Sequence, residues 1–384
     1  MRIDRLELYY VAVPLPAPLR IAAQPGRVQT HNELTFVRMT TDSGVVGESA
    51  GFTLGRFHAG LGDAFGKFIL GRDPLDIEGF SDVLEAGAAF GVRLAWLEPA
   101  LWDIAGKALG QPVNRLLGGG RKRIRAYCST AELKDGEARA DELERLREEG
   151  FTAVKLRFHN ADWRKDLAVV EACRRRIGDS MDILIDANQG FHFALVPGTP
   201  PPWDVPTAVA AAQALEDFDV YWLEEPLDRD DYRGMRELRQ KTRTRIAGGE
   251  LAWRFRDYAD LVAHRCLDVL QTDAMFFGGI STGKKVAAMA EANGLGFAPH
   301  TWNNGLNLIA NLHVMASSKA CRLCEFPYEP PGWTTEGREA ILAETLEIDE
   351  DGCVPVPQRP GLGLVIDEEK LRRFGEKLYD ETLG

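Results

Sequence analysis

The feature that most constrains this chain is a cadence that recurs between residues 123 and 325. Short apolar, β-branched runs alternate there with stretches of helical character. The runs are RAYCST, TAVKLR, DILIDAN, VYWLEE, TRIAGGE, DVLQTDA, GFAPHT and RLCEF. Eight strands that alternate with helices predict a (β/α) barrel, although the count alone also allows an open, doubly wound sheet. One connection, after DILIDAN, is a long Pro-rich loop of the kind that forms a lid or rim.

The two ends of the chain differ in kind from this region. Near the N-terminus, the alternating stretches IDRLELYYVAV and LTFVRMTTDSG predict an antiparallel sheet. An apolar stripe with helical spacing predicts a core-facing helix that stops at Gly110, and its members are Leu94, Leu97, Leu101, Ile104 and Ala108. The tail is expected to be irregular. We therefore predict an α+β capping domain over residues 1–122, a barrel over 123–328, and a C-terminal segment, 329–384, that completes the cap.

The charge and composition of the chain limit the kinds of molecule that it is expected to bind. The net charge is −12, without a basic block, which argues against nucleic acid and against an anionic membrane surface. No apolar run approaches the length of a membrane span, and the N-terminus carries Asp4, Arg5 and Glu7 where a secretory signal would be apolar. Only Cys321 and Cys324 show C-x-x-C spacing, so reduced core thiols are expected. These features predict a cytoplasmic protein.

Three successive barrel strands finish in an acidic residue, namely Asp186, Glu224 and Glu250. The carboxyl ends of barrel strands form the face where active sites are built. Two carboxylates ~4 Å apart repel by roughly 4 kcal/mol at an effective dielectric near 20, so three that converge need a cation or protons. An all-oxygen ligand set favours Mg²⁺, whereas each acid alone could instead cap a helix or pair with Arg. Glu225 falls on the outward parity, where it could support the ligands.

The following strands end in Asp273, His300 and Glu325. A carboxylate on one strand can hold the imidazole on the next strand in one tautomer and raise its basicity. Asp273 and His300 are therefore predicted to form a general base pair, against the alternative that His300 is an ordinary rim residue. On the second strand, Lys155 and Arg157 share one face, which must be wet or hold anions.

Together these motifs resemble the enolase superfamily and, within it, the mandelate racemase subgroup. The resemblance covers nearly the whole chain, and its motifs are LEPALWDIAGKALGQPVNRLLGG, VKLR, DANQ, EEP, GGE, TDAMFFGGIS, PH and PGLGLVID. It implies an α+β cap over a TIM-like (β/α)₇β barrel and Mg²⁺ on Asp186, Glu224 and Glu250. It also implies an Asp273/His300 dyad, Glu325 near the substrate carboxylate, and a homo-oligomer. The implied chemistry removes a proton α to a carboxylate and stabilises an enediolate.

Arg157 departs from the family pattern, which has Lys-x-Lys with the second Lys as a base opposite the His. Deprotonating a guanidinium near pH 7 costs at least roughly 7 kcal/mol, so Arg157 is no practical base. Racemisation or epimerisation needs acid and base on both faces of the α-carbon, whereas β-elimination does not. The sequence therefore favours a lyase, an acid sugar dehydratase that yields a 2-keto-3-deoxy acid. Arg157 would either hold a substrate oxygen or form a structural ion pair with a barrel acid.

The loop PLRIAAQPGRVQTHN of the predicted cap, the cap loop, is polar and suits a hydroxy or sugar acid. Arg20 and His31 on this loop, together with Asn188 and Trp302 on the barrel, are predicted to contact the substrate. Two alternatives stay open: an epimerase or lactone cycloisomerase in which Lys155, His31 or His192 replaces the second Lys, and a catalytically silent acid-binding barrel.

Overall fold

The structure, a computed structural model, describes residues 1–191, 199, 201–276 and 278–384 of the chain. His192 and most of the Pro-rich loop expected to form a lid or rim lie outside the described residues.

The N-terminal region forms an antiparallel sheet, as its alternating pattern predicts. Its strands are β1 Ile3–Leu19, β2 Gln29–Thr41, β3 Val46–Phe52 and β13 Gly375–Thr382. The strand order is β13-β1-β2-β3, so the last strand of the chain pairs with the first. The prediction that both ends of the chain build one cap is therefore confirmed.

The expectation of an irregular tail is wrong for residues 368–382. Asp367 accepts hydrogen bonds from the backbone N–H groups of Glu369 and Lys370 and begins the helix α13, Glu368–Phe374. β13 follows directly and pairs with β1. The sequence reading missed this strand because its partner lies at the other end of the chain, and all of its residues are exposed or half-buried.

Four helices complete the N-terminal part, and they are α1 Leu61–Ile69, α2 Ile77–Ala89, α3 Glu98–Leu109 and α4 Val113–Leu116. The predicted stripe lies on α3, but the helix begins at Glu98 rather than Leu94. Residues Ala95–Leu97 form a 3₁₀ turn, and Pro99 occupies the first turn of α3, where its missing N–H costs nothing. α3 ends at Gly110, whose φ of 64° is the left-handed conformation that glycine adopts without strain.

In the described part of the chain, the barrel comprises eight parallel strands. They are β4 Arg123–Ser129, β5 Ala153–Arg157, β6 Asp182–Asp186, β7 Leu223–Glu224, β8 Ile246–Gly248, β9 Val269–Leu270, β10 Gly296–Phe297 and β11 Leu323–Pro327. They pair in the order β10-β9-β8-β7-β6-β5-β4-β11, and a parallel bridge between Phe297 and Cys321 joins the two ends. This closure excludes the open, doubly wound alternative. The antiparallel strand β12, Cys353–Pro355, extends the sheet at β4.

Among the residues that the structure describes, seven helices connect these strands. They are α5 Gly136–Glu148, α6 Trp163–Ile177, α7 Val205–Leu215, α8 Tyr232–Lys241, α9 Phe255–Ala263, α10 Gly279–Asn293 and α11 Gly305–Ala316. The alternation is that of a (β/α)₇β barrel, as predicted. α12, Thr335–Glu339, follows β11, and the division of the chain at residues 122 and 328 stays a prediction. In the described part of the chain, no helix is long and apolar enough to cross a bilayer.

Strand register brings the predicted charged residues side by side. Arg157 at the end of β5 pairs with Asp186 at the end of β6, and Asp186 pairs with Glu224 at the end of β7. Because side chains at the same level of neighbouring parallel strands share a face, these three meet at the carboxyl end of the barrel.

His313 joins the barrel to both terminal regions. It is fully buried in α11. Its Nδ1 accepts a hydrogen bond from the Asn114 N–H, and its Nε2 donates to the Leu362 carbonyl, each at 3.0 Å. This network fits a neutral ring with the proton on Nε2. Burial lowers the pKa of His313 from 6.5 to about 4.

We predict that His313 makes the protein less stable in mild acid. Its pKa is lower in the folded state, so its contribution is intact above pH 6.5 and is lost as the pH falls towards 4. At pH 5 this loss is about 2 kcal/mol. Urea titrations of the wild type and of His313→Gln at pH 7.5 and 5 measure it.

His313→Gln keeps an acceptor and a donor, so its free energy of unfolding should fall less between these pH values. The exposed His264→Gln variant serves as the control and should keep the wild-type dependence. Equal pH dependence in the wild type and in His313→Gln would contradict the prediction.

Candidate active site

A cavity of about 520 Å³ lies between the N-terminal region and the carboxyl ends of the barrel strands. Side chains from both regions line it. The predicted site residues in its lining are Arg157, Asp186, Asn188, Glu250, His300 and Trp302. Lys155, Glu224, Asp273 and Glu325 are buried behind this surface, each with 1% exposure or less.

The three predicted metal ligands are buried at the ends of consecutive strands. Asp186 closes β6, Glu224 closes β7, and Glu250 follows β8 by two residues. Lys155 lies among them, with its Nζ 3.0 Å from Glu224 Oε1 and 3.4 Å from Asp186 Oδ2. Its ammonium also lies 2.7 Å from Glu325 Oε1. One cation therefore holds acids from three strands.

The electrostatics of the site reflect an excess of buried negative charge. Burial, opposed by Lys155, raises the pKa of Glu224 to about 8, and burial also raises the pKa of Glu250. For Lys155, burial opposes the charged form. The charges of Glu224, Glu325 and Asp186 outweigh burial, so its pKa is raised. Lys155 is thus held as an ammonium ion.

Of the two roles that the sequence allowed for Arg157, the structure contains the ion pair with a barrel acid. Its Nη1 donates to Asp186 Oδ2 and, at 3.1 Å, to Asn188 Oδ1. Its Nε donates to the Thr130 carbonyl at 2.7 Å. The guanidinium also lies 5.6 Å from the centre of the Trp302 ring. These contacts fix Arg157 at the cavity wall, and its contact with a substrate oxygen stays a prediction.

The donor set fits a hard divalent cation. Asp186, Glu224 and Glu250 offer only carboxylate oxygens, as Mg²⁺ prefers. Glu250 Oε2 is buried and makes no hydrogen bond to the residues that the structure describes. Among the described residues, no group of three Asp, Glu, His or Cys side chains lies close enough together to hold a metal ion in this arrangement. Asp186 and Glu224 instead form ion pairs with Arg157 and Lys155.

Glu225 lies beside Glu224 but does not line the cavity. It faces the loop after β6, where a Cβ on Gly190 would lie 2.3 Å from Glu225 Oε1. Gly190 is therefore needed for this close approach.

Asp273 and His300 form a hydrogen-bonded pair at the cavity. His300 Nδ1 lies 2.8 Å from Asp273 Oδ2, and His300 Nε2 lies 3.9 Å from Glu250 Oε2. Asp273 also accepts hydrogen bonds from the N–H groups of Met275 and Phe276. With Nδ1–H donated to the carboxylate, Nε2 is the nitrogen available to a substrate proton.

Two asparagines of α11 complete the surroundings of Asp273. Asn307 Nδ2 lies 3.1 Å from Asp273 Oδ2, and Asn311 Nδ2 lies 3.4 Å from Asp273 Oδ1. Asn311 Oδ1 accepts from the Ala274 N–H at 3.0 Å. The carboxylate is thereby fixed in the orientation that receives His300.

The pKa of His300 is raised to about 10. Burial alone would lower it, but the charge of Glu250 and the hydrogen bond to Asp273 outweigh burial. A divalent cation held by Glu250 would offset part of this charge and return the imidazole towards the neutral form that can accept a proton.

Glu325, predicted near the substrate carboxylate, is tied to the protein. Its Oε1 accepts from Ser129 Oγ at 2.7 Å, and its Oε2 accepts from the Thr301 N–H at 2.6 Å. Burial would raise its pKa, but Lys155 and the hydrogen bonds lower it. Glu325 is therefore an ionised partner of Lys155 behind the cavity wall.

The four predicted substrate contacts divide into two pairs. Asn188 and Trp302 line the cavity, and Trp302 stacks on Trp333 with ring centres 5.8 Å apart. Arg20 and His31 are exposed and do not belong to the cavity lining among the described residues. The nearby cap loop does contribute side chains, including Gln24 and Arg27.

Sequence reasoning missed several residues at this site. Asn307 and Asn311 show the i, i+4 spacing of one helix face, which is the signal that could have indicated a polar, inward-facing stripe. Arg93 and Arg229 also line the cavity. They lie on connecting segments far apart in the sequence, where no periodic pattern marks them.

Comparison with known proteins gives a consistent result. Residues 5–118 match the family model "Mandelate racemase / muconate lactonizing enzyme, N-terminal domain", and residues 138–370 match "Enolase C-terminal domain-like". An arabinonate dehydratase of Saccharolobus solfataricus is 31% identical over 71% of this chain and 69% of its own length. A D-galactarolactone cycloisomerase of Agrobacterium fabrum is 29% identical over 97% of this chain and 99% of its own.

A solved structure extends this similarity to the fold. The L-talarate dehydratase of Polaromonas sp. JS666, complexed with Mg and L-glucarate, superimposes with a TM-score of 0.83 at 28% identity. The match covers 100% of both chains.

We predict that Mg²⁺ raises the melting temperature of the protein, because a divalent cation relieves the repulsion among the buried acids. Glu250→Gln should lose this response. Glu225→Gln provides the matched control, since Glu225 is also a buried acid but does not line the cavity. Thermal unfolding as a function of Mg²⁺ concentration measures the effect, and a wild-type response retained by Glu250→Gln would contradict it.

Proposed function

Because the chain belongs to the mandelate racemase/muconate lactonizing enzyme family of the enolase superfamily, we propose that it is a Mg²⁺-dependent dehydratase of a sugar acid. The observation that carries the proposal is the Asp273–His300 pair, which reaches the cavity beside the buried acids. The named activity of the arabinonate dehydratase, 31% identical, supports it. The substrate partner is a small hydroxy acid. A homo-oligomeric state and a cytoplasmic location stay predictions.

The reaction begins with removal of the α proton. His300 Nε2 takes this proton while Asp273 holds the other ring nitrogen and stabilises the imidazolium that forms. Negative charge then builds on the substrate carboxylate. When bound by Asp186, Glu224 and Glu250, Mg²⁺ would supply a Lewis acid that offsets this charge. Lys155, held as an ammonium ion next to the same acids, adds positive charge at this point.

Elimination follows from the same imidazolium. His300 returns the proton to the β-hydroxyl, the C–O bond breaks, and water leaves as the α,β double bond forms. The resulting enol tautomerises to a 2-keto-3-deoxy acid. Atoms and charge balance without any further reactant, since His300 ends neutral and one water is released.

The position of Arg157 supports elimination over racemisation. Its guanidinium is bound to Asp186 and the Thr130 carbonyl, so it keeps its proton and cannot act as a base. The opposite face of the α-carbon then has no base on β5.

Cycloisomerisation of a lactone is the second candidate, because the cycloisomerase of Agrobacterium fabrum matches nearly the full length of both chains. The two reactions differ in their products: a dehydratase turns an open-chain acid into a 2-keto acid with loss of water, whereas a cycloisomerase acts on a lactone without losing water.

We predict that His300→Asn lowers turnover by about 10²- to 10⁴-fold, the usual effect of removing a general base. The assay incubates the protein and Mg²⁺ with a panel of aldonic and aldaric acids and detects 2-keto acids by colour. His264→Asn, an exposed histidine on the outside of the barrel, is the matched control. Turnover retained by His300→Asn would contradict its role, and absence of 2-keto acid from every acid would contradict the function.

Asn307→Leu tests the orientation of the dyad. We predict that it lowers kcat by about tenfold to a hundredfold with little change in KM, because Asp273 loses a donor and His300 its fixed orientation. Asn307→Gln, which keeps the amide, should recover part of the activity. An increase in KM alone, with kcat unchanged, would instead place Asn307 in substrate binding.

A further inference from the structure

Besides Arg157 and the cap-loop residue Arg27, which donates a hydrogen bond to Gln24, Arg93 and Arg229 place guanidinium groups in the described lining of the cavity. Arg93 precedes α3, and Arg229 lies in the loop after β7. The Arg229 side chain is 41% exposed, whereas those of His300 and Glu250 are 14% and 8% exposed. Arg229 therefore lies nearer the solvent than the proposed reaction centre, and Arg93 is half-buried.

Both arginines are positioned by their surroundings. The Arg93 guanidinium lies 3.8 Å from the centre of the Trp253 ring, a cation–π contact that limits its orientation. Trp253 follows Glu250 by only three residues. The Arg229 N–H donates to the Gly190 carbonyl at 3.4 Å, which ties its loop to the loop after β6. The pair thus lies over the loops that follow the three acidic strand ends.

The charges of Arg93 and Arg229 indicate that their ligand is an anionic group. Burial and then the positive charge of Arg229 lower the pKa of Arg93 to about 10, so the two groups are close enough to repel each other. Asp230 Oδ2, on an 80% exposed side chain, lies 3.8 Å from Arg229 Nε and offsets part of the charge. Arg157, by contrast, is bound to Asp186 within the same cavity. The positive charge of the two guanidinium groups favours an anionic group at this place.

We propose that Arg93 and Arg229 bind a second carboxylate of the substrate, at the end away from the reacting carbon, so that the enzyme selects dicarboxylic over monocarboxylic sugar acids. The inference rests on the proposed function and deepens it. Guanidinium groups match the two oxygens of a carboxylate by forked hydrogen bonds. With Asp230 nearby, the charge suits a monoanionic carboxylate better than a dianionic phosphate.

The test compares binding of acid pairs that share their stereochemistry. Affinities are measured by titration calorimetry with Mg²⁺ in a His300→Asn background, so that binding is read without turnover. The probes are D-gluconate with D-glucarate, D-galactonate with galactarate, and 6-phospho-D-gluconate. Arg93→Gln and Arg229→Gln are compared with Arg93→Lys, which keeps the charge. Arg256→Gln, an 84% exposed arginine on α9, is the control.

We expect at least one dicarboxylate to bind about tenfold or more tightly than its monocarboxylate partner. Arg93→Gln and Arg229→Gln should weaken that dicarboxylate by about tenfold to a hundredfold and change the monocarboxylate by less than about threefold. Arg93→Lys should keep part of the preference, and Arg256→Gln all of it. Because the Arg229 side chain is partly exposed, Arg229→Gln should fold and still test the site even if Arg93→Gln folds poorly.

Equal affinity for both members of every pair would overturn the inference, as would an equal loss for both in Arg93→Gln or tightest binding of the phosphate ester. Assays of wild-type turnover distinguish failure of the second carboxylate site from failure of the proposed dehydratase activity. If only monocarboxylates are converted, and their conversion does not depend on Arg93, the dehydratase activity would be supported and the second carboxylate site would be contradicted. If dicarboxylates bind preferentially but no acid gives a 2-keto product, the second carboxylate site would be supported and the dehydratase activity would be contradicted.

Discussion

The ion pairs of Lys155 and Arg157 with the acids at the barrel mouth are the interactions on which the rest of the site depends. Asp186, Glu224 and Glu325 are almost completely buried, and Lys155 lies within 3.4 Å of all three. Leaving a buried charge without its partner costs about 3–5 kcal/mol, so the barrel cannot keep these acids without the two cations. The second barrel strand, β5 within the run TAVKLR, carries both of them on one face, with Arg157 in the cavity lining and Lys155 buried behind it.

This arrangement constrains the chemistry that the chain can perform. Arg157 is held by Asp186, Asn188 and the Thr130 carbonyl, so it acts as a fixed charge and not as a proton acceptor. His300, oriented by Asp273, is then the one base for which the described residues provide a clear arrangement at the cavity. A single base suffices for elimination of a β-hydroxyl. It does not suffice for direct inversion of an α-carbon, which needs an acid on the opposite face.

The fold could be predicted from the sequence because its signals are local. Strand alternation and the repeated strand–helix cadence indicated both the cap sheet and the closed barrel, and parity placed Lys155 and Arg157 on the same face. The pairing of β13 with β1 was missed because it joins the two ends of the chain. At the site, strand ends indicated Asp186, Glu224, Glu250, Asp273 and His300. Asn307, which contacts Asp273, and Arg93 and Arg229, which line the cavity, were missed, since each lies on a segment whose orientation only tertiary packing fixes.

Proton chemistry on one face is the claim that can be tested most directly. The measurement is ¹H NMR of the reaction in D₂O, with the sugar acid that is turned over and with Mg²⁺ present. We predict a 2-keto acid with deuterium at C3, while the unreacted acid keeps its configuration at C2 throughout. Accumulation of the C2 epimer would contradict the account, because it requires a second base opposite His300 that Arg157 cannot provide.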